Sequence, residues 1–100
     1  MRILLTDVFR GWMRSLRDVE AKYRIARRID RLALGNPGDV RPVGEGVSEL
    51  RVDSGPGYRV YFAGRGQAVL ILLCGGDKST QAADIRRAKA LNRDYEGPVK

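Results

Sequence analysis

Arg59 and Tyr61 alternate with Tyr58, Val60 and Phe62 along one short run, Tyr58-Arg-Val-Tyr-Phe-Ala63. Side chains of a strand point alternately to its two faces, so the apolar trio and the Arg–Tyr pair take opposite sides. The preceding run, Val47-Ser-Glu-Leu-Arg-Val-Asp53, likewise sets Glu49, Arg51 and Asp53 opposite Leu50 and Val52. A hairpin register with both polar sets on one side makes Arg51, Arg59 and Tyr61 cross-strand neighbours. Lys78 follows the next apolar run and is placed to close over them.

Two guanidiniums, an ammonium and a phenol on an open sheet face suit a phosphodiester. Arginine presents a planar fork to phosphate oxygens and stays charged at any working pH. When a ribose 2′-OH attacks the adjacent phosphate, negative charge grows on the phosphorane, and fixed cations lower that barrier. A tyrosine can stack on a base or exchange a proton. Glu49 is the one carboxylate obviously on the same face, and the general base stays open. The same alternation also describes an exposed sheet whose ion pairs contribute only a few tenths of a kcal/mol.

Much other chemistry is excluded. The chain has 100 residues and no histidine, so there is no imidazole base, Ser-His-Asp relay or histidine metal ligand. One cysteine, Cys74, makes neither an internal disulfide nor a zinc site alone, and inside an apolar run it reads as an inert core residue. Gly75-Gly76 lacks the Lys-Ser/Thr that a phosphate-binding loop requires at its spacing. No metal or cofactor is expected, and any catalysis must come from Arg, Lys, Tyr and carboxylates. The cysteine usage fits a reducing cytoplasm.

Lysine and arginine number 19 against 12 acidic residues, a net charge of +7. Nucleic acid, an anionic surface and an acidic protein all fit that excess. The first 34 residues hold nine basic and four acidic side chains, so the N-terminal third carries most of it. The longest apolar stretch, Ala68–Cys74, is too short to span a bilayer, and no secretory leader opens the chain.

The elements that must position these residues are legible in outline. Arg2–Leu5 is a short apolar strand, and Thr6-Asp7 offers a helix N-cap. Phe9, Trp12, Met13 and Leu16 then form one helical stripe, read as core. Asp18 caps a second helix to Leu34, with Val19, Tyr23, Ile25, Ala26, Ile29, Leu32 and Ala33 on one broad face. Arg24, Arg27, Arg28 and Arg31 gather on the other, the usual pattern of a solvated helix face and a candidate RNA-binding set. Gly35-Asn36-Pro37-Gly38 ends this helix. Three strands, about 47–53, 58–63 and 68–74, and a helix from Thr80 to about Tyr95 with Ile85, Ala88 and Leu91 inward complete the order β-α-α-β-β-β-α. The expected fold is α+β, with two layers: a helical hairpin on an antiparallel three- to four-stranded sheet, the first strand at an edge.

Several motifs in order carry a family resemblance. Gly44-x-Gly-Val-x-Glu-Leu-Arg51 is followed by Gly55-Pro-Gly-Tyr-Arg-Val-Tyr61, then Gly75-Gly-Asp-Lys-Ser-Thr-Gln81 with Asp84-Ile85. Phe9-x-x-Trp12 and Arg28-x-x-Arg31-Leu-x-x-Gly35-Asn36 accompany them. Over about residues 3–95 the chain resembles the HigB-like, phage-derived addiction-module killer proteins of the RelE/ParE toxin superfamily.

The resemblance implies one toxin domain over residues 1–100 with a RelE-like fold, silenced by an antitoxin encoded nearby that carries a helix-turn-helix DNA-binding domain. RelE and HigB relatives cut mRNA on the ribosome, which makes a metal-independent cytoplasmic endoribonuclease the first expectation. ParE relatives share the fold and poison DNA gyrase, which is the second; a non-catalytic basic binding module is the third. In RelE-type toxins an arginine in a Gly-Tyr-Arg segment supports the phosphate, the place of Arg59 here. Arg51 lies where the preceding strand contributes a basic residue, and Lys78 near a second basic position after the last strand. RelE carries a tyrosine on its C-terminal segment where this chain has Gln81-Ala-Ala-Asp84-Ile85, and several HigB toxins carry a histidine. Proton transfer is therefore open among Lys78, Tyr61 and Asp84.

Overall fold

Thr6 and Asp18 start the two N-terminal helices. In the computed structural model, which describes residues 1–95, the Thr6 hydroxyl accepts from the Phe9 N–H at 3.0 Å and heads α1 (Asp7–Ser15). It also donates to the Leu73 carbonyl at 2.6 Å, fastening the helix start to the sheet. The Asp18 carboxylate accepts from the Ala21 N–H at 3.1 Å and heads α2 (Val19–Ala33). Each cap satisfies a backbone donor that a helix start leaves unpaired. After α2, Gly35 turns left-handed at φ +85° and the Asn36 N–H bonds back to the Arg31 carbonyl at 2.9 Å.

The sheet has five strands: β1 (Arg2–Leu5), β2 (Val40–Gly44), β3 (Val47–Val52), β4 (Tyr58–Arg65) and β5 (Val69–Asp77). They lie in the order β1-β5-β4-β3-β2, with β1 parallel to β5 and the other pairs antiparallel. A 3-10 turn at Lys78–Thr80 leads into α3 (Gln81–Asp94). The fold is α+β as expected, with β1 at an edge and one strand more than the pattern predicts. That strand, β2, has Pro42 at its centre, and proline has no ladder donor; the outermost position tolerates it. Glu45 and Gly46, both at positive φ, make the two-residue connection to β3.

Helices cover both faces, so the arrangement has three layers where two are expected. On one side Phe9 of α1 and Ile25 and Leu32 of α2 pack with Leu50, Val60, Phe62 and Leu72. On the other Ala88, flanked by Ile85 and Leu91 of α3, packs with Val47, Tyr61, Ala63, Ile71 and Leu73. The first face is already occupied, and the apolar stripe of α3 closes over the second. Between Tyr61↔Cys74 and Phe62↔Leu72 the register slips by one residue on β5, which turns both Leu73 and Cys74 toward α3.

The broad apolar face expected of α2 is only partly used. Ala21, Ile25 and Leu32 are buried, whereas Val19 is 78% and Tyr23 60% exposed. The sheet takes a narrow stripe, and Ala26 and Ile29 line a groove of about 510 Å³ between α2, α1 and β1. Opposite, α3 is fastened by Glu45, whose carboxylate meets Arg93 at 2.8 Å and Lys89 at 3.7 Å. Among the described residues no helix is long and apolar enough to cross a membrane.

Candidate functional site

The register places the predicted residues where the hairpin argument expects: Arg51 opposite Arg59 and Glu49 opposite Tyr61. Their exposure differs from expectation, because α3 covers this face. Tyr61 is wholly buried, and its phenol donates to Glu49 Oε2 at 3.2 Å. Burial first, and the Glu49 carboxylate next, hold that phenol above its ordinary range. Glu49 is wholly buried too, the one buried charged residue among those described. Its Oε2 also accepts from the Gln81 amide of α3 at 2.9 Å and lies 3.3 Å from Arg59 Nε.

Arg59 is therefore not a free surface cation. Its side chain is 11% exposed, and its Nη1 donates to the Gly57 carbonyl at 3.1 Å. It opens onto a cleft of about 220 Å³ walled by Asp39, Arg51, Asp53, Gly57 and Tyr58. Arg51 is held on the other wall by Asp39, which accepts from its Nε at 3.2 Å and its Nη2 at 3.0 Å. Lys78 is exposed, and its Cβ and Arg59 Nη1 each lie 3.7 Å from the point where a side chain on Gly57 would begin. Gly57 has φ +82°, a backbone that glycine adopts without strain. Two of the three expected cations thus carry a carboxylate, and Lys78 forms no ion pair among the described residues.

The four α2 arginines divide. Arg28 Nη1 donates to the Arg51 carbonyl at 2.6 Å and its Nη2 to the Pro37 carbonyl at 3.0 Å, so it bolts α2 to β3 and to the loop after the helix. Arg24, Arg27 and Arg31 are exposed. Arg27 lies over the Tyr23 ring at 5.7 Å and bonds its hydroxyl at 3.0 Å; Arg24 faces Glu20 at 3.8 Å. All four line a second cleft of about 250 Å³ that shares Val52 and Asp53 with the Arg51–Arg59 cleft. The two clefts are neighbours at the end of β3, with Val52 and Asp53 lining both.

The family model described as "Phage derived protein Gp49-like" matches residues 11–95, which includes every residue of both clefts. The chain belongs to the Gp49-like family. A protein of Haemophilus influenzae, described only as uncharacterized, is 47% identical over 94 residues, covering 94% of this chain and 95% of that one.

In this Gp49-like chain the remaining candidates are occupied locally. Asp84 accepts from the Thr80 hydroxyl at 2.5 Å and lies against Gly76, where any side chain would collide with it. Asp77 accepts from the Ser79 hydroxyl and backbone N–H, which lowers its pKa and makes it a weak base. Cys74 is buried, its thiol pushed up to about 12 by burial. Among the described residues no three His, Cys, Asp or Glu side chains converge as metal ligands would. Sequence reading missed two parts of the site. Gln81 gives no signal, since its role depends on where α3 docks, and Asp39 precedes β2, the strand that the pattern does not announce.

Proposed function

We propose that this Gp49-like protein is the toxin of a toxin–antitoxin module, acting in the cytoplasm on mRNA at the ribosome and neutralised by a cognate antitoxin. The observation that carries the reading is the pair of adjoining clefts that set Arg51 and Arg59 near the α2 arginines. A single RNA strand there meets cations along its backbone, and phosphate contacts supply most of the affinity of such interfaces. Arg59, with Arg51 beside it and Lys78 beyond Gly57, stabilises charge at the scissile phosphate as the 2′-OH attacks. Tyr61 contributes through Glu49, from inside the protein. The deciding experiment is expression without antitoxin, with transcript ends mapped. New ends within translated codons, lost in Arg59→Ala, support the reading; growth arrest without new ends refutes it.

One observation favours a second reading. With the Tyr61 phenol buried and Arg51 and Arg59 each paired with a carboxylate, Lys78 alone of the expected cutting set is exposed and unpaired among the described residues, as suits a relative that inhibits without cutting, such as a gyrase poison. DNA breaks and an SOS response in place of mRNA ends would mark it.

A further inference from the structure

Glu49 is enclosed, cannot reach a ligand in the cleft, and holds the side chain that can. Its Oε2 gathers Tyr61 Oη at 3.2 Å, Gln81 Nε2 at 2.9 Å and Arg59 Nε at 3.3 Å. The Nε–H is not aligned for a hydrogen bond, so charge attraction dominates that contact, and Glu49 Oε1 has no hydrogen-bond partner among the described residues. With Nε turned inward and Nη1 on the Gly57 carbonyl, Nη2 is the arginine edge with no protein acceptor among the described residues.

We propose that Glu49 is the positioning residue for Arg59: its buried charge, braced by Tyr61 and Gln81, fixes the guanidinium so that Nη2 faces a phosphate in the cleft. This deepens the RNA reading above and rests on it. Burying an ion pair is a weak source of stability, because desolvation offsets the attraction. Its gain is geometric. A surface arginine must surrender its rotamer freedom when it binds, and one already held loses less. Neither hydrogen-bond donor competes with Arg59 for the role of counter-ion, since both are neutral.

Glu49→Gln tests this, since it keeps the shape and removes the charge. Two readouts are needed: the Arg59 Nε–H signal by nitrogen-15 NMR, and the affinity of a short single-stranded 2′-deoxy-blocked RNA. In the wild type the Nε–H signal should be dispersed and slow to exchange. In the folded variant it should shift to the position of exposed arginines. RNA affinity should fall roughly tenfold, as expected on losing one charge-assisted hydrogen bond, and match the fall in Arg59→Gln, with no further fall in the double variant. An unchanged Arg59 signal in folded Glu49→Gln overturns the proposal, as does unchanged affinity where Arg59→Gln loses it. Should Glu49→Gln fail to fold, Tyr61→Phe and Gln81→Ala retain the charge and remove its braces. A smaller shift of the same signal supports the proposal and an unmoved one overturns it. Failure of the wild type to bind RNA would refute the RNA reading, while the Nε–H signal still decides the positioning.

Discussion

The indole of Trp12 fills the space above Gly75 where a side chain would stand. Trp12 also meets Phe9 at 5.8 Å and Tyr58 edge-on at 6.3 Å, so the ring is wedged between α1 and the sheet. Gly75→Ala puts a methyl group into that ring and should cost about 1–3 kcal/mol. Urea unfolding should show the loss, with a shifted emission maximum from Trp12, the sole tryptophan. Gly64→Ala is the control: its nearest neighbour would be 4.0 Å away, and the expected change is within about 0.5 kcal/mol.

Thr6 joins two elements through one hydroxyl, accepting from Phe9 N–H and donating to the Leu73 carbonyl. Thr6→Ala removes a helix cap and leaves a part-buried carbonyl short of a partner. The expected loss is about 1–3 kcal/mol. Hydrogen exchange should quicken in the first turn of α1.

The α2 arginines should separate by measurement. Arg28→Ala frees the carbonyls of Arg51 and Pro37 and should lower stability by about 1–3 kcal/mol in thermal unfolding. Arg24→Ala, Arg27→Ala and Arg31→Ala should stay within about 0.5 kcal/mol of the parent. On the RNA reading those three instead weaken the salt dependence of binding, the slope of log affinity against log salt falling by about one for each phosphate no longer neutralised.

The buried thiol predicts a pH dependence of definite sign. Burial, with Asp84 adding, raises Cys74 from 9.0 to about 12. Between those values the unfolded chain has released a proton that the folded chain retains, so stability falls as pH rises through that window. Cys74→Ala should remove about 1 kcal/mol of the decline between pH 7 and pH 10. Tyr61, also raised, adds to the decline at higher pH in both proteins. Thiol reagents should label the native parent near pH 8 only as fast as it unfolds.

The helices and three inner strands are legible because their periods and caps are local: Thr6, Asp18 and Gly35 each do what their chemistry predicts. β2 is not, although Val40 and Val43 lie within it and Gly44-Glu45-Gly46 marks its turn, because Pro42 argues against a strand until the edge position is known. Alternation pairs Arg59 with Arg51 and Tyr61 with Glu49, yet exposure depends on which face α3 chooses, and its inward stripe carries no such information. Glu49 shows the limit most plainly. A glutamate in an alternating strand reads as solvent-facing, and Tyr61, Gln81 and Arg59, 12, 32 and 10 positions away, make its burial tolerable.

Pro42 has an effect outside the fold itself. A flat outer strand with a full row of amide donors invites a second chain to annex it, the first step toward ordered aggregates. Here the ring removes one donor, exposed Arg41 beside it places a charge on the margin, and the irregular register after Pro42 spoils the template. The chain's β2 margin is thereby protected from self-propagating stacks.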